Sequence, residues 1–123
     1  MSEATLRNHQ VLVDRHAGKG GADLGPMGGE LILASIGGCF MSNLLAAIRA
    51  REAEISEVRI EVTGTIADSP SRFSAVDLFV TADSRSQELF KQLVEIADRG
   101  CIMMNTLRGE LDVRIRLGVT IRT

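Results

Sequence analysis

The sequence contains no tryptophan and no tyrosine, and its aromatic residues are four phenylalanines. Proteins that bind single-stranded nucleic acid stack bases on aromatic side chains, and this composition offers no such platform. An excess of positive charge is also missing, because 14 Lys and Arg against 16 Asp and Glu give a formal net charge of −2. The basic residues are scattered rather than clustered, so the sequence predicts no nucleic-acid partner.

Cysteine and histidine are scarce, with two of each, and no CxxC pair occurs. Cys39 and Cys101 stand 62 positions apart, and His9 and His16 lack a recognisable ligand spacing, which disfavours a metal site. The spacing alone leaves three interpretations of the thiols open. They are packing as small apolar residues, a dithiol redox pair, and one zinc held by Cys39, Cys101 and His16.

The residues Met1–Gln10 are polar and lack a basic start followed by an apolar run, so no secretory signal is predicted. We therefore expect a cytoplasmic protein, and in that compartment thiols stay reduced unless they take part in redox chemistry. A permanent structural disulfide is disfavoured on the same ground.

Residues 31–48 carry no charge, and their apolar positions follow helical spacing. A run of about 20 apolar residues can span a bilayer, but serine, glycine and asparagine dilute this one, so no membrane span is predicted. The segment is instead expected to be a central buried helix with Cys39 in its middle. Because so short a chain has little material to surround such a helix, and because Ala34, Gly38 and Ser42 form a row of small side chains, a homodimer is predicted.

The rest of the chain alternates between strand and helix patterns. Amphipathic spacing predicts a helix that begins at a capping box in Ser84–Gln87 and ends before Gly100. Further helical turns after Cys101 place this cysteine near a helix N-terminus, where partial positive charge favours a thiolate. Residues 1–8 are polar and predicted to be partly disordered. Four strands are predicted, and the middle two are expected to pair as an antiparallel hairpin. They are His9–Asp14, Glu57–Ile66, Phe73–Thr81 and Leu111–Arg122. The short helix after Cys101 is predicted over Ile102–Leu107.

This order of elements predicts one α+β domain over residues 1–123, in which an antiparallel or mixed sheet carries helices on one face. Between Arg15 and Gly29 the chain has six glycines and one proline, which predicts a mobile loop. The GxxxxGK[ST] order of a phosphate-binding loop is absent there, so neither a nucleotide site nor another cofactor is predicted.

Two stretches around the cysteines resemble those of a known family. Gly25–Cys39, GPMGGELILASIGGC, is similar to the GPxPxELLLASLGGC stretch of the OsmC/Ohr family, the osmotically inducible and organic-hydroperoxide-resistance proteins. Ile96–Leu107, IADRGCIMMNTL, resembles the family's IADxCPVxxTL stretch, and the interval between the two cysteines fits. The resemblance runs from about His9 to Leu117 and is closest to the short branch of OsmC-like redox proteins.

The resemblance implies an OsmC-like fold, an intertwined homodimer and a thiol peroxidase that acts on organic hydroperoxides. In that mechanism the Cys39 thiolate attacks the hydroperoxide and becomes a sulfenic acid, with which Cys101 condenses to a disulfide. A lipoyl-type dithiol reductant then reopens the pair by thiol exchange.

In active members of the family a glutamate holds an arginine beside the thiolate. The position of that glutamate is Gly29 in this chain, and Glu30 is its neighbour. Arg15 and Lys19 are the candidate cations. Glu30 is either their partner or an acidic residue that suits the positive end of the helix dipole.

Two functions of other classes are also compatible with the sequence. One is a non-enzymatic module that binds an apolar or acyl ligand in the groove of the dimer, with Cys39 serving as packing. The other is a redox sensor that forms the disulfide between Cys39 and Cys101 but turns over peroxides poorly.

Overall fold

The structure is a computed structural model that describes residues 1–121. Its packing divides the chain into two compact segments, residues 1–34 and residue 35 onward, and the boundary falls within the first long helix. The elements, in chain order, are β1 (Ser2–Leu6), β2 (His9–Val13), a 3₁₀ turn (Ala17–Lys19), α1 (Gly28–Ala50), β3 (Ile55–Ala67), β4 (Arg72–Ser84), α2 (Gln87–Gly100), α3 (Ile102–Leu107) and β5 (Asp112–Ile121).

The first segment opens with an antiparallel hairpin in which β1 pairs with β2 along its whole length. β2 matches the predicted strand His9–Asp14 except for the last residue. The disorder predicted for residues 1–8 is wrong. All residues of β1 except Ala4 are exposed, so this strand has no buried face and lacks the alternation that reveals strands in a sequence.

The buried carboxylate of Asp14 organises the glycine-rich loop that follows β2. It accepts hydrogen bonds from the backbone N–H groups of Leu24, Ala22 and Arg15 at 3.2, 3.1 and 2.9 Å. These bonds, that of Leu24 foremost, lower the pKa of Asp14 against the opposing effect of burial. At Gly21 a Cβ would lie 1.9 Å from the backbone oxygen of Arg15, so only glycine fits. The loop predicted to be mobile is thus tied to a buried charge.

α1 is the predicted long helix, and it buries one side. At its start the carboxylate of Glu30 accepts a hydrogen bond of 2.8 Å from the backbone N–H of Met27, which satisfies one of the donors that a helix N-terminus leaves free. By length and composition α1 is able to cross a membrane, as are many core helices of soluble proteins. The exposed side includes Gly38 and Ser42. The buried side consists of Ile36, Phe40, Leu44, Ala47 and Ile48.

β3, β4 and β5 form a three-stranded sheet in that order. β3 and β4 are antiparallel, as the predicted hairpin requires, whereas β4 and β5 are parallel. The sheet is therefore mixed. The connection through α2 and α3 returns the chain to the end of the sheet at which β4 began, so β5 runs in the same direction as β4. β5 agrees with the predicted strand from Asp112 to Ile121, and the predicted end at Arg122 lies outside the described residues. The most buried positions of β4 are Val76, Leu78, Val80, Ala82 and Ser84.

α2 begins two residues later than the predicted capping box implies. Its N-cap is Ser86, whose hydroxyl accepts a hydrogen bond of 3.1 Å from the backbone N–H of Leu89. Ser84 stays in β4 and donates its hydroxyl to the carbonyl oxygen of Ser86 at 2.9 Å. The helix packs its apolar side inward through Phe90, Leu93, Val94 and Ala97. These elements make a mixed α+β fold, which confirms the predicted fold class.

Candidate active site

The two cysteines come together within the second segment, although they are 62 positions apart in sequence. Cys39 lies in the middle of α1, and Cys101 lies in extended conformation at the elbow between α2 and α3. Their sulfur atoms are 3.3 Å apart, and the Cys101 thiol donates a hydrogen bond to Cys39. Both thiols are free. A disulfide needs about 2.05 Å between the sulfurs, so the two side chains must move closer before they can be joined.

Contacts from α3 lower the pKa of the Cys39 thiol. The backbone N–H of Met103 has the largest effect, and the Cys101 thiol and the N–H of Ile102 add to it, while burial opposes them. Hydrogen bonds to the charged form of an acid stabilise that form. Cys39 is therefore the member of the pair whose ionised form the surroundings favour.

The pKa of the Cys101 thiol moves in the opposite direction. Burial is the largest cause of its rise, and the neighbouring Cys39 raises it further, while N–H groups of Met104 and Met103 oppose the rise. From the sequence, the N-terminus of α3 is expected to favour a Cys101 thiolate; its N–H groups do act in that direction, but burial outweighs them. The helix begins where predicted, but it is Cys39 whose ionised form the site favours, because Cys101 is fully buried.

Exposure also differs between the two sulfurs. Cys39 is half-buried and Cys101 has no exposed surface. Ile102, directly after Cys101, leaves 71% of its surface exposed. A molecule that arrives from solvent therefore meets Cys39 before Cys101.

The elbow that carries Cys101 is braced from both sides. Asp98 in α2 pairs with Arg108 just after α3. The side-chain amide of Asn105 donates to the backbone oxygen of Arg99 at 3.0 Å. These two contacts join the end of α2 to α3 and hold Cys101 in place between them.

Asn43 is a site residue for which the sequence analysis gave no role. Its side-chain nitrogen donates to the backbone oxygen of Cys39 at 3.1 Å and lies 3.9 Å from the Cys39 sulfur. Its side-chain oxygen faces the other helix, at 3.9 Å from where a Cβ on Gly100 would stand. The signal in the sequence was its spacing of four from Cys39, which puts both side chains on one face of a helix.

The other three predicted site residues belong to the first segment. The guanidinium of Arg15 donates to the backbone oxygen of Lys19 at 3.4 Å, so the structure brings these two residues together. Glu30 is engaged by the backbone of Met27, as the helix-terminus interpretation of this residue expects. Within residues 1–121 no three side chains of the metal-binding types converge.

The chain is similar in sequence to a known family of proteins. The sequence model described as OsmC-like protein matches residues 19–116. No protein with a curated description matches the chain.

Solved structures share the fold at low sequence identity. An OsmC-like protein from Mycoplasma pneumoniae is 20% identical, with 98% of this chain and 88% of that chain covered and a TM-score of 0.80. An organic hydroperoxide resistance protein from Elizabethkingia anophelis is 22% identical, with 91% and 82% covered and a TM-score of 0.75. The organic hydroperoxide resistance protein OhrB of Bacillus subtilis is 23% identical, with 89% and 81% covered and a TM-score of 0.69.

Proposed function

Because this chain belongs to the OsmC-like protein family, whose membership supports a redox role, we propose that it is a thiol peroxidase that reduces organic hydroperoxides. The predicted OsmC-like fold is confirmed. The observation that carries the proposal is the pair of free thiols 3.3 Å apart, of which one has a lowered and the other a raised pKa. A thiolate beside a protonated thiol is the arrangement that a peroxide-reducing pair needs.

The proposed reaction has two steps on the protein. The Cys39 thiolate attacks the distal oxygen of the hydroperoxide, the O–O bond breaks, and the alkoxide leaves and takes a proton as the alcohol. Cys39 then carries a sulfenic acid, and the Cys101 thiol attacks its sulfur, which releases water and forms the disulfide. Two electrons have passed from the thiol pair to the peroxide, and an external dithiol of lipoyl type returns them by thiol exchange.

The roles of the two cysteines follow from exposure and charge. Cys39 is half-buried and favours the thiolate, so it is the residue that meets the peroxide. Cys101 is fully buried and stays protonated, so it acts only after Cys39 has been oxidised.

Two properties of the surroundings support an organic substrate. The exposed side chain of Ile102 offers apolar surface next to the pair, and burial of a methylene group contributes about 0.8 kcal/mol. Solved structures of the same fold come from proteins described as organic hydroperoxide resistance proteins.

We also propose a single domain that associates as a homodimer in the cytoplasm. Proteins of this family are soluble, and the exposed small residues Gly38 and Ser42 of α1 leave room for a second copy to approach closely. Arg15 and Lys19 remain our candidates for a cation that adds to the stabilisation of the thiolate, and Glu30 for a carboxylate that supports it.

The test is brief exposure of the reduced protein to one equivalent of cumene hydroperoxide, followed by intact mass measurement and a count of free thiols. We expect rapid loss of both thiols and of the mass of two hydrogen atoms per chain. Cys39→Ser should abolish the reaction. Cys101→Ser should stop it at a sulfenic acid on Cys39, which dimedone labels.

Other outcomes would redirect the assignment. Unchanged peroxide consumption in Cys39→Ser would exclude the cysteine mechanism. Disulfide formation in the native chain without sustained turnover, when a lipoyl dithiol is supplied, would identify a redox sensor. No oxidation at all would leave the apolar-ligand module as the function to pursue.

A further inference from the structure

The side chain of Asn43 lies against the sulfur that the proposed function makes reactive. The carbonyl oxygen of Cys39 can only accept, so the group that Asn43 presents to it at 3.1 Å must be the NH₂ end of the amide. This fixes the orientation of the amide and places the same nitrogen 3.9 Å from the Cys39 sulfur. An N–H donor is therefore held by the backbone of the reacting residue itself.

At 3.9 Å the contact to sulfur is long for a hydrogen bond. The thiolate is already stabilised by the N–H groups of Met103 and Ile102 and by the thiol of Cys101, whose sulfur is 3.3 Å away. An oxygen atom bonded to the Cys39 sulfur on the Asn43 side would stand closer to the amide than the sulfur does. The donor thus fits a group that is present only after oxygen transfer begins.

We propose that Asn43 is a further residue of the site, whose side-chain N–H binds the oxygen that Cys39 takes from the hydroperoxide and holds the resulting sulfenic acid for Cys101. This inference rests on the proposed peroxidase function. The thiolate forms a bond to the distal oxygen, which keeps its hydrogen, while the O–O bond breaks and the alkoxide takes a proton from water. An interaction that strengthens during this step lowers the barrier, whereas one equally strong beforehand does not.

The proposal separates two reactions of the same thiolate. Oxidation by a hydroperoxide places an oxygen on Cys39, and alkylation by iodoacetamide does not. Loss of the Asn43 amide should slow the first reaction and spare the second. A purely structural role would disturb the position of Cys39 and slow both.

The experiment compares native protein with Asn43→Leu, which has a similar volume but no donor. Single-turnover oxidation by cumene hydroperoxide and alkylation are both measured at a pH where Cys39 is fully ionised in each variant. We expect oxidation to slow by about tenfold, the effect of one lost hydrogen bond of ordinary strength, and alkylation to change by less than about twofold. Asn43→Asp keeps the shape of the side chain and serves as the second variant if Asn43→Leu does not fold, and it should also slow oxidation.

Asn8→Leu is the matched control, because it is the same substitution at an exposed asparagine in the turn between β1 and β2, and it should leave both rates unchanged. Equal slowing of oxidation and alkylation in the Asn43 variants, or no slowing of oxidation, would overturn the proposal while native oxidation still supports the peroxidase. A native protein that no hydroperoxide oxidises would instead overturn the proposed function, and this inference with it.

Discussion

At the scale of the residue, the charge on Cys39 depends on an element other than its own. Cys39 lies in the middle of α1, where a helix dipole has little effect because its partial charges are confined to the first and last turns. The lowered pKa comes instead from N–H groups of Met103 and Ile102, which α3 leaves without partners in its own first turn. A half-buried thiolate is in this way stabilised by neutral donors.

This origin predicts the pH dependence of alkylation. As pH rises, Cys39 loses its proton at a pH below the ordinary value of a thiol, and Cys101 loses its proton above that value. Iodoacetamide labelling followed by mass spectrometry should therefore show two separate midpoints, with the first label on Cys39. In Cys39→Ser the lower midpoint should vanish and the higher one should remain.

Labelling of both cysteines with a single midpoint would contradict these opposite shifts. The same assay applied to Arg15→Ala and Lys19→Ala tests the two candidate cations. A rise of the first midpoint in either variant would identify the cation that the family resemblance requires.

At the scale of the element, α1 comes close to the sheet at Gly37. A Cβ at this position would lie 2.9 Å from a methyl carbon of Val62 in β3, which is tighter than packed side chains allow. The adjacent Gly38 is different, because a Cβ there meets nothing within 4 Å. Gly37 thus allows α1 to contact β3, whereas Gly38 lies on the outer side of the helix.

We expect Gly37→Ala to lower the free energy of unfolding by about 1 kcal/mol. Overpacking costs about 1–3 kcal/mol, and the better helix propensity of alanine returns about 1 kcal/mol. Urea denaturation measures the difference.

Val62→Ala should relieve this clash. In a double-mutant cycle, Gly37→Ala should cost less in the Val62→Ala background than in the native one. Purely additive effects, or a Gly37→Ala variant more stable than the native protein, would show that the approach of α1 to β3 is looser than described.

At the scale of the whole molecule, the side of α1 that one chain leaves exposed to solvent is apolar and poor in charge. Gly38 and Ser42 are exposed there, and Leu45 keeps 40% of its surface accessible. Small residues of this kind let helices approach closely. This is the surface that the proposed homodimer would cover.

Gly38→Leu tests the association without disturbing the chain. The open space around Gly38 accommodates the side chain, and leucine favours the helix over glycine by about 1 kcal/mol. We expect sedimentation to show dimers for the native protein and monomers for Gly38→Leu, with helical content retained. Gln92→Leu adds the same side chain at an exposed position of α2 and should leave the dimer intact. A monomeric native protein, or a dimeric Gly38→Leu variant, would remove the proposed interface.

Sequence reasoning predicted best those elements whose pattern is local. The uncharged run of α1, the alternation in β3 and β4 and the amphipathic spacing of α2 each follow from how neighbouring side chains divide between core and water. β1 escaped prediction because its side chains are exposed on both faces. The cap of α2 was misplaced by two residues because Ser84, with Gln87 three positions later, matches the capping box, whereas the actual N-cap Ser86 is followed at that position by Leu89.

The sequence by itself determined that this chain is an α+β protein with one long apolar helix and a cysteine in its middle, because helix and strand periods are properties of adjacent residues. Only the tertiary structure decided that β5 runs parallel to β4, that the two sulfurs stand 3.3 Å apart, and which groups lower the pKa of Cys39. The donors that decide the last point are mainly backbone N–H groups. Every residue except proline carries a backbone N–H group, so residue identity does not show which of these groups will contact Cys39. That depends on how the fold orients them.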